Sequence, residues 1–454
     1  MTLPPVSVSQ KLAEAFAGEP RIPPAVREMC DALLMDFAGI CVAARNTDYV
    51  RAVMSATGEA GTCTVIGHAG EFNTATAALC NGTAAHGEDY DDTFEGGPIH
   101  AGAVILPAVL ATAEAHSLAG AQVLAGIAAG CEVMCRLCLV APKRVHKAGF
   151  HPTAVFGALG AAAGVATALR LTRGQWVDAV GIAGSMASGI IEYLAEGAWT
   201  KRMHPGWAAQ AGYRAARMAQ AGFTGPRTVL DGEHGFFHGF ANTQDGNFAA
   251  MLSGAGSDWL CAGIAFKPYA CGTMAHPFID CARNLVAQGL LPEEIESIEC
   301  ETAEGIVHRL WEPLASKHAP PNGYAAKFSI PFAIAVGMLR GDAGLAEYEK
   351  AVVHDPAVVA LASKVRYVID PANPYPDRFT GHVKATLKGG RVMEARQDHF
   401  RGGVAEPLSA ADLHSKYVPN CAYGGWARER AIDALQVLHA LPDAGIVDLS
   451  TLRG

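Results

Sequence analysis

Titratable side chains crowd into one stretch of an otherwise apolar first half. Residues 86–100 read His86-Gly87-Glu88-Asp89-Tyr90-Asp91-Asp92-Thr93-Phe94-Glu95-Gly96-Gly97-Pro98-Ile99-His100. Carboxylates and two histidines in a glycine-bearing loop can act as acid/base groups or as ligands for an oxygen-loving metal; the bland alternative is a solvated loop with helix caps. His100 stands directly before the uncharged stretch 101–113. A helix starting there would present its positive pole to the ring, disfavouring the charged form and suiting it to proton transfer.

Three further positions offer chemistry. Gly149-Phe150-His151-Pro152-Thr153 again sends a histidine into an apolar helix, where it can be structural or catalytic. In Glu196-Gly197-Ala198-Trp199-Thr200-Lys201-Arg202-Met203-His204-Pro205-Gly206, adjacent cations are expected in a loop before a helix N-terminus. That arrangement suits a phosphate or carboxylate clamp, or simply an exposed basic loop. Lys267, in Phe266-Lys267-Pro268-Tyr269-Ala270-Cys271, precedes His276 and falls where the texture of the chain changes. No Gly-x-Gly-x-x-Gly after a strand, P-loop, Gly-x-Ser-x-Gly elbow or HExxH occurs. What remains is cofactor-free proton chemistry on a small anion.

The elements that must position these residues are mostly helices. From about residue 8 to 260 the chain is Ala/Leu/Val-rich at helical spacing, with helices expected over 101–118, 121–140, 153–170, 175–195 and 205–221. The alanine and glycine content implies close helix approaches in a multilayered domain. After residue 265, stretches 294–303, 364–370 and 382–387 alternate as strands, and Lys388-Gly389-Gly390-Arg391 turns the chain into 392–396 as a hairpin. Helices are expected over 273–288, 325–340 and 347–363, and helix returns over 408–440. The organisation expected is mainly α: a large all-helical domain from both chain ends, 1–264 and 406–454, with an inserted α+β domain over 265–405.

The 454 residues are half hydrophobic and only 17% charged, which excludes a largely disordered chain. A net charge of −9 argues against a general nucleic-acid binder or a protein held on anionic membranes, since both need a basic surface. The twelve cysteines lie mostly among apolar residues, and Cys131, Cys135 and Cys138 share one helical stripe. They read as core in a protein of the reducing cytoplasm. Residues 148–169 lack any Asp, Glu, Lys or Arg, but their histidine, proline and many alanines and glycines fit packed helices better than a membrane span. The N-terminal Met1-Thr2-Leu3-Pro4-Pro5 has no basic, apolar leader.

Taken together, the motifs 86–93, 149–153, 199–209, 267–276 and Ala-Lys-Phe-Ser-x-Pro at 326–331 resemble the MmgE/PrpD family over roughly residues 10–440. Its members include 2-methylcitrate dehydratase, cis-aconitate decarboxylase and iminodisuccinate epimerase. The resemblance implies a large helical domain with an inserted α+β lid domain, a homodimer, and no metal or organic cofactor. It places Asp89 and Thr93 in the acidic loop of the pocket, His100 as the principal proton donor or acceptor, and His151 as a second pocket histidine. Lys201 and Lys267 become the lysines for substrate carboxylates, with Arg202 and His276 as further substrate-binding candidates. Many relatives carry a tyrosine where this chain has Phe332, a departure from the decarboxylase pattern. The function expected is a dehydratase-type lyase acting on a small di- or tricarboxylate, with epimerase or isomerase, cis-aconitate-type decarboxylase, and a non-catalytic helical binding protein as alternatives.

Overall fold

A computed structural model describes residues 6–454; Met1–Pro5, on which the expectation of no leader rests, lie outside the described residues. The chain forms two compact units, Met1–Ala265 with Leu413–Gly454, and Phe266–Asp412.

The first unit is built around the helix Pro152–Ala168, every residue of which is buried. Helices Gly102–His116, Gly120–Cys138, Arg173–Met186 and Thr200–Gln220 pack against it, so its surface meets protein on several sides. That accounts for the absence of charge in the sequence there. Gly120–Cys138 is long and apolar enough to cross a membrane, yet 83% of its most apolar window is buried within the protein. It also carries a buried ion pair, Arg136 Nε to Glu132 Oε1 at 2.6 Å. All twelve cysteines are free and buried.

Small residues set the helix spacing that matters for the site. The helices Thr74–Gly87 and Thr200–Gln220 approach so closely that a Cβ on Gly206 would lie 2.1 Å from the carbonyl oxygen of Leu79. Only glycine fits at that crossing, which brings His86 on one helix toward Lys201 and His204 on the other. Strand content in this unit is slight: Ala60–Cys63, and a two-residue antiparallel ladder pairing Thr93 with Ala265 and Phe94 with Ile264.

Two local expectations are corrected here. The helix expected over 175–195 ends at Met186. Beyond it the chain is held extended against 149–151, with His151 N–H donating to Gly189 O at 2.9 Å and Ile191 N–H to Gly149 O at 3.0 Å. Gly189 has φ +128°, a conformation closed to most other residues. Lys201 and Arg202 are not in a loop: the helix starts at Thr200 and absorbs Pro205. A cation in the first turn opposes the helix dipole. The opposition is offset because Lys201 is paired with Asp89, and the Arg202 guanidinium sits 4.5 Å from the centre of the Tyr49 ring.

In the second unit a four-stranded sheet runs in the order Val365–Ile369, Ile295–Thr302, Gly381–Leu387, Val392–Gln397, with the first pair parallel and the others antiparallel. The hairpin turns through Gly389 and Gly390, both at positive φ. Helix His276–Ala287 packs on the last two strands, and Ile330–Arg340 packs on that helix. The helix expected over 347–363 is broken into Lys350–Val353 and Pro356–Ala362, where the Asp355 side chain caps the second piece. The unit continues to Asp412 because Gly402 N–H donates to Glu406 O at 2.7 Å and Arg401 reaches Asp412 at 3.4 Å.

Candidate active site

The acidic loop begins where the helix Thr74–Gly87 ends, and Asp89 turns it through a left-handed φ of +55°. Asp91 then returns its carboxylate to two rings. Its Oδ2 is 2.7 Å from His86 Nδ1 and 3.4 Å from His100 Nδ1. His100 Nδ1 is also 2.7 Å from the carbonyl oxygen of Asp92, which can only accept. The proton of His100 therefore sits on Nδ1, and Nε2 carries the basic lone pair. The Asp92 side chain, one residue on, accepts from Gly102 N–H at 3.1 Å and so anchors the loop to the start of helix Gly102–His116.

The loop is also held from behind. Lys416, on the helix Ala410–Tyr423 of the C-terminal segment, is buried with Nζ 2.6 Å from Asp36 Oδ1. It donates to the carbonyl of Tyr90 at 2.7 Å and lies 4.0 Å from the centre of that ring.

A second pair of histidines continues from the first. His151 is the N-cap of helix Pro152–Ala168, and its Nδ1 is 3.2 Å from Nδ1 of His204 on helix Thr200–Gln220. Ring centres run 4.7 Å from His100 to His86, 5.6 Å from His86 to His151 and 5.3 Å from His151 to His204, with Tyr193 packed edge-on against the last two. His100 is the least buried of the four. Lys201, one turn before His204, makes its ion pair with Asp89.

Burial dominates the electrostatics. It pushes the His86 imidazole down to about 4, against the opposing pull of Asp91, and the His204 imidazole also to about 4. His151 is held well below the usual histidine range by burial and then by His86 and Lys201. Burial would raise Asp91, but His100 and His86 prevail and hold it well below the usual carboxylate range. Asp92 is pushed up to about 7 by burial and then by the charge of Asp91. Two adjacent carboxyls are thus driven apart, one a fixed anion and the other easily protonated.

Among the described residues, one trio of metal-capable donors, His86, Asp91 and His100, gathers within 4.8 Å. The contacts that draw it together are N–H donors on oxygen acceptors, with the Asp92 carbonyl requiring a proton on His100 Nδ1. The set fits proton handling better than ligation.

The structure brings Asp89, His100, His151 and Lys201 into one unit with the geometry above. Thr93 follows in the short Thr93–Phe94 strand, and Arg202 is committed to the Tyr49 ring, whose hydroxyl donates to Glu88 at 3.0 Å. Lys267 and His276 belong to the second unit. Lys267 is buried, and the fully buried His276 has Nε2 3.2 Å from the Cys271 carbonyl, with its ring edge-on to Tyr269. Tyr269 in turn donates to Asp280 at 2.6 Å and accepts from Arg283 at 2.6 Å. Phe332 is fully buried, its ring 5.7 Å from that of Tyr348.

Sequence reasoning included His86 and Asp91 in the acidic cluster of acid/base candidates but assigned them no individual role, and it did not single out His204, though that residue lies in a quoted motif. For His204 the signal was there: it follows Lys201 by three residues, which shares a face once both are helical.

Comparison with known proteins adds the following. A family model described as the MmgE/PrpD N-terminal domain matches residues 17–249, and one described as the MmgE/PrpD C-terminal domain matches residues 269–440. The chain is 32% identical over 365 residues to a human protein named cis-aconitate decarboxylase, covering 76% of this chain and 72% of that one. It is 30% identical over 360 residues to the mouse protein of the same name, covering 76% and 71%. A protein of that name from Aspergillus terreus is 28% identical over 375 residues, covering 76% and 74%.

Proposed function

The chain belongs to the MmgE/PrpD family, and from that premise we propose that it is a lyase acting on a small di- or tricarboxylate by proton transfer alpha to a carboxylate, without a cofactor. The observation that carries this reading is the His100 ring, whose Nδ1 proton is fixed by the Asp92 carbonyl and the ionised Asp91 so that Nε2 is presented as a base. His100 takes the proton from carbon, and His151 handles the second proton of the reaction. Lys201 supplies positive charge for a substrate carboxylate and for the negative charge that develops as the proton leaves. Asp89 keeps that ammonium in place. Lys267 is proposed as a second carboxylate-binding cation, with Thr93 as a hydrogen-bonding group.

The reaction favoured is dehydration of a 2-methylcitrate-like hydroxy acid. A second reading, decarboxylation of cis-aconitate, is supported by the relatives carrying that name, while Phe332 speaks against carrying it over unchanged. The two reactions share a carbanion-like state but reach it differently: in dehydration removal of the alpha proton forms it and water then leaves, whereas in decarboxylation loss of carbon dioxide forms it and a histidine then protonates it. Incubating the protein with 2-methylcitrate and with cis-aconitate and identifying the product by NMR tests the reading. Reprotonation of iminodisuccinate on the opposite face would instead place the chain with the epimerases. We place the enzyme in the cytoplasm, which the free, buried cysteines support, and as a homodimer, which light scattering tests.

A further inference from the structure

We infer that His204 is the group through which His151 exchanges its proton with solvent, across a cavity that His204 lines. The inference rests on the proposed reading of His151 as an acid/base group and adds how that group is reset between turnovers. His151 is 5% exposed. Its Nδ1 faces His204 Nδ1 at 3.2 Å, and two ring nitrogens at that distance share a single proton. The position of that proton decides what His151 can do. With the proton on His204, His151 carries its own on Nε2 and is an acid; with the proton on His151, its Nε2 is a bare lone pair and a base. Interconverting the two forms without charge on either ring takes three coupled moves: a proton gained at one outer nitrogen, one passed across the pair, and one lost from the other outer nitrogen. When His151 Nε2 accepts a proton, its Nδ1 proton passes to His204 Nδ1, and His204 releases the proton of its other nitrogen to water; reloading runs in reverse.

Water reaches His204 through a cavity of about 520 Å³, lined by His204, Tyr193, Met203 and Trp207 and bordered by Glu192 and Glu196; His151 is not part of the lining. Both glutamates are exposed. Their negative charge repels an anionic substrate and attracts protons, which assigns the cavity to proton traffic rather than to a carboxylate. Burial, and then the neighbouring His86 and Lys201, disfavour an extra proton resting on His204, so it passes protons on instead of storing them. A Cβ at Gly189 would come within 3.4 Å of the His204 ring, and the glycine leaves that face uncrowded.

The test compares the wild-type protein with His204→Gln and His204→Ala in deuterated water, using 2-methylcitrate, cis-aconitate and iminodisuccinate as probes and following turnover and deuterium incorporation by NMR. Glutamine keeps a hydrogen bond to His151 but cannot relay a proton. The expected result is a fall of about 10²-fold in turnover for both variants with the fold retained by circular dichroism, and saturable restoration of His204→Ala by added imidazole. Wild-type turnover by His204→Gln, or a slowed but folded His204→Ala that imidazole does not restore, overturns the inference. If the alanine variant does not fold, the glutamine variant decides. A wild-type protein inert toward all three acids fails the proposed function itself, a result distinct from either.

Discussion

The Nδ1 atom of His100 lies 2.7 Å from the carbonyl oxygen of Asp92. A main-chain carbonyl cannot donate, so this one contact fixes the tautomer of the ring and leaves its other nitrogen as the base. Replacing His100 by asparagine is expected to lower kcat by about 10²–10⁴-fold, the usual worth of a positioned acid or base, with little change in melting temperature. Steady-state kinetics and a thermal melt on the same sample check it.

Stability is expected to fall as pH drops from about 7 to 4. His86 and His204 titrate near 4 in the folded protein and His151 is held well below the usual histidine range, against about 6.5 unfolded. Below 6.5 the unfolded chain binds protons that the folded chain refuses, costing up to about 3 kcal/mol for each of His86 and His204, with His151 acting in the same direction. Below about 4 the depressed Asp91 adds its own loss. Asp92 acts in the opposite sense: raised to about 7, its contribution is full below about 4 and is lost as pH rises from there to 7. Three histidines outweigh one carboxyl, so the net slope follows them. Asp92→Asn is expected to steepen the acid fall and to raise the melting temperature at pH 8, as a series of melts from pH 4 to 8 would show.

Lys416 and Asp36 are a buried ion pair at 2.6 Å, and Lys416 also holds the Tyr90 carbonyl of the acidic loop. Lys416→Met alone strands a buried carboxylate and is expected to cost about 3–5 kcal/mol. Adding Asp36→Leu removes the stranded charge and is expected to recover most of the stability, but not the activity, because the loop carrying Asp91 has lost its hold. Denaturant melts and kcat for the single and double variants separate the two effects.

The crossing at Gly206 tolerates no side chain, since a Cβ there would lie 2.1 Å from the Leu79 carbonyl. Gly206→Ala should force the helices Thr200–Gln220 and Thr74–Gly87 apart, cost about 1–3 kcal/mol, and lower kcat by displacing Lys201 and His204 from Asp89 and His151. A melt paired with kinetics reads both. Preserved activity in a destabilised protein would show that the crossing serves packing alone.

Much of this was legible in the sequence, for physical reasons. Helix Pro152–Ala168 follows from its charge-free, alanine-rich run, the strands Ile295–Thr302 and Gly381–Leu387 from alternation, and the Gly389-Gly390 turn from its need for positive φ. What escaped were tertiary effects. The helix expected to run to 195 stops at Met186 because residues 189–191 are held extended by backbone bonds to 149–151, which no local propensity encodes. Lys201 was expected in a loop because Pro205 usually opens a helix, whereas the Asp89 pairing stabilises an extra turn before it. His100 and His151 stood out because each directly precedes an apolar helix. His86 was visible only as a member of the acidic cluster and His204 not as a candidate, since their individual roles depend on a glycine-mediated helix crossing and on contacts 5 and 53 residues away in sequence.

The most direct test of the central claim is deuterium exchange. The wild-type protein and His100→Ala are incubated in deuterated water with 2-methylcitrate, cis-aconitate and iminodisuccinate, and each acid is followed by NMR. The account predicts that the wild type consumes one of these acids with exchange at the carbon alpha to a carboxylate, and that His100→Ala abolishes both. Exchange or turnover that survives in His100→Ala, or a wild type that neither exchanges nor consumes any of the three, would contradict it.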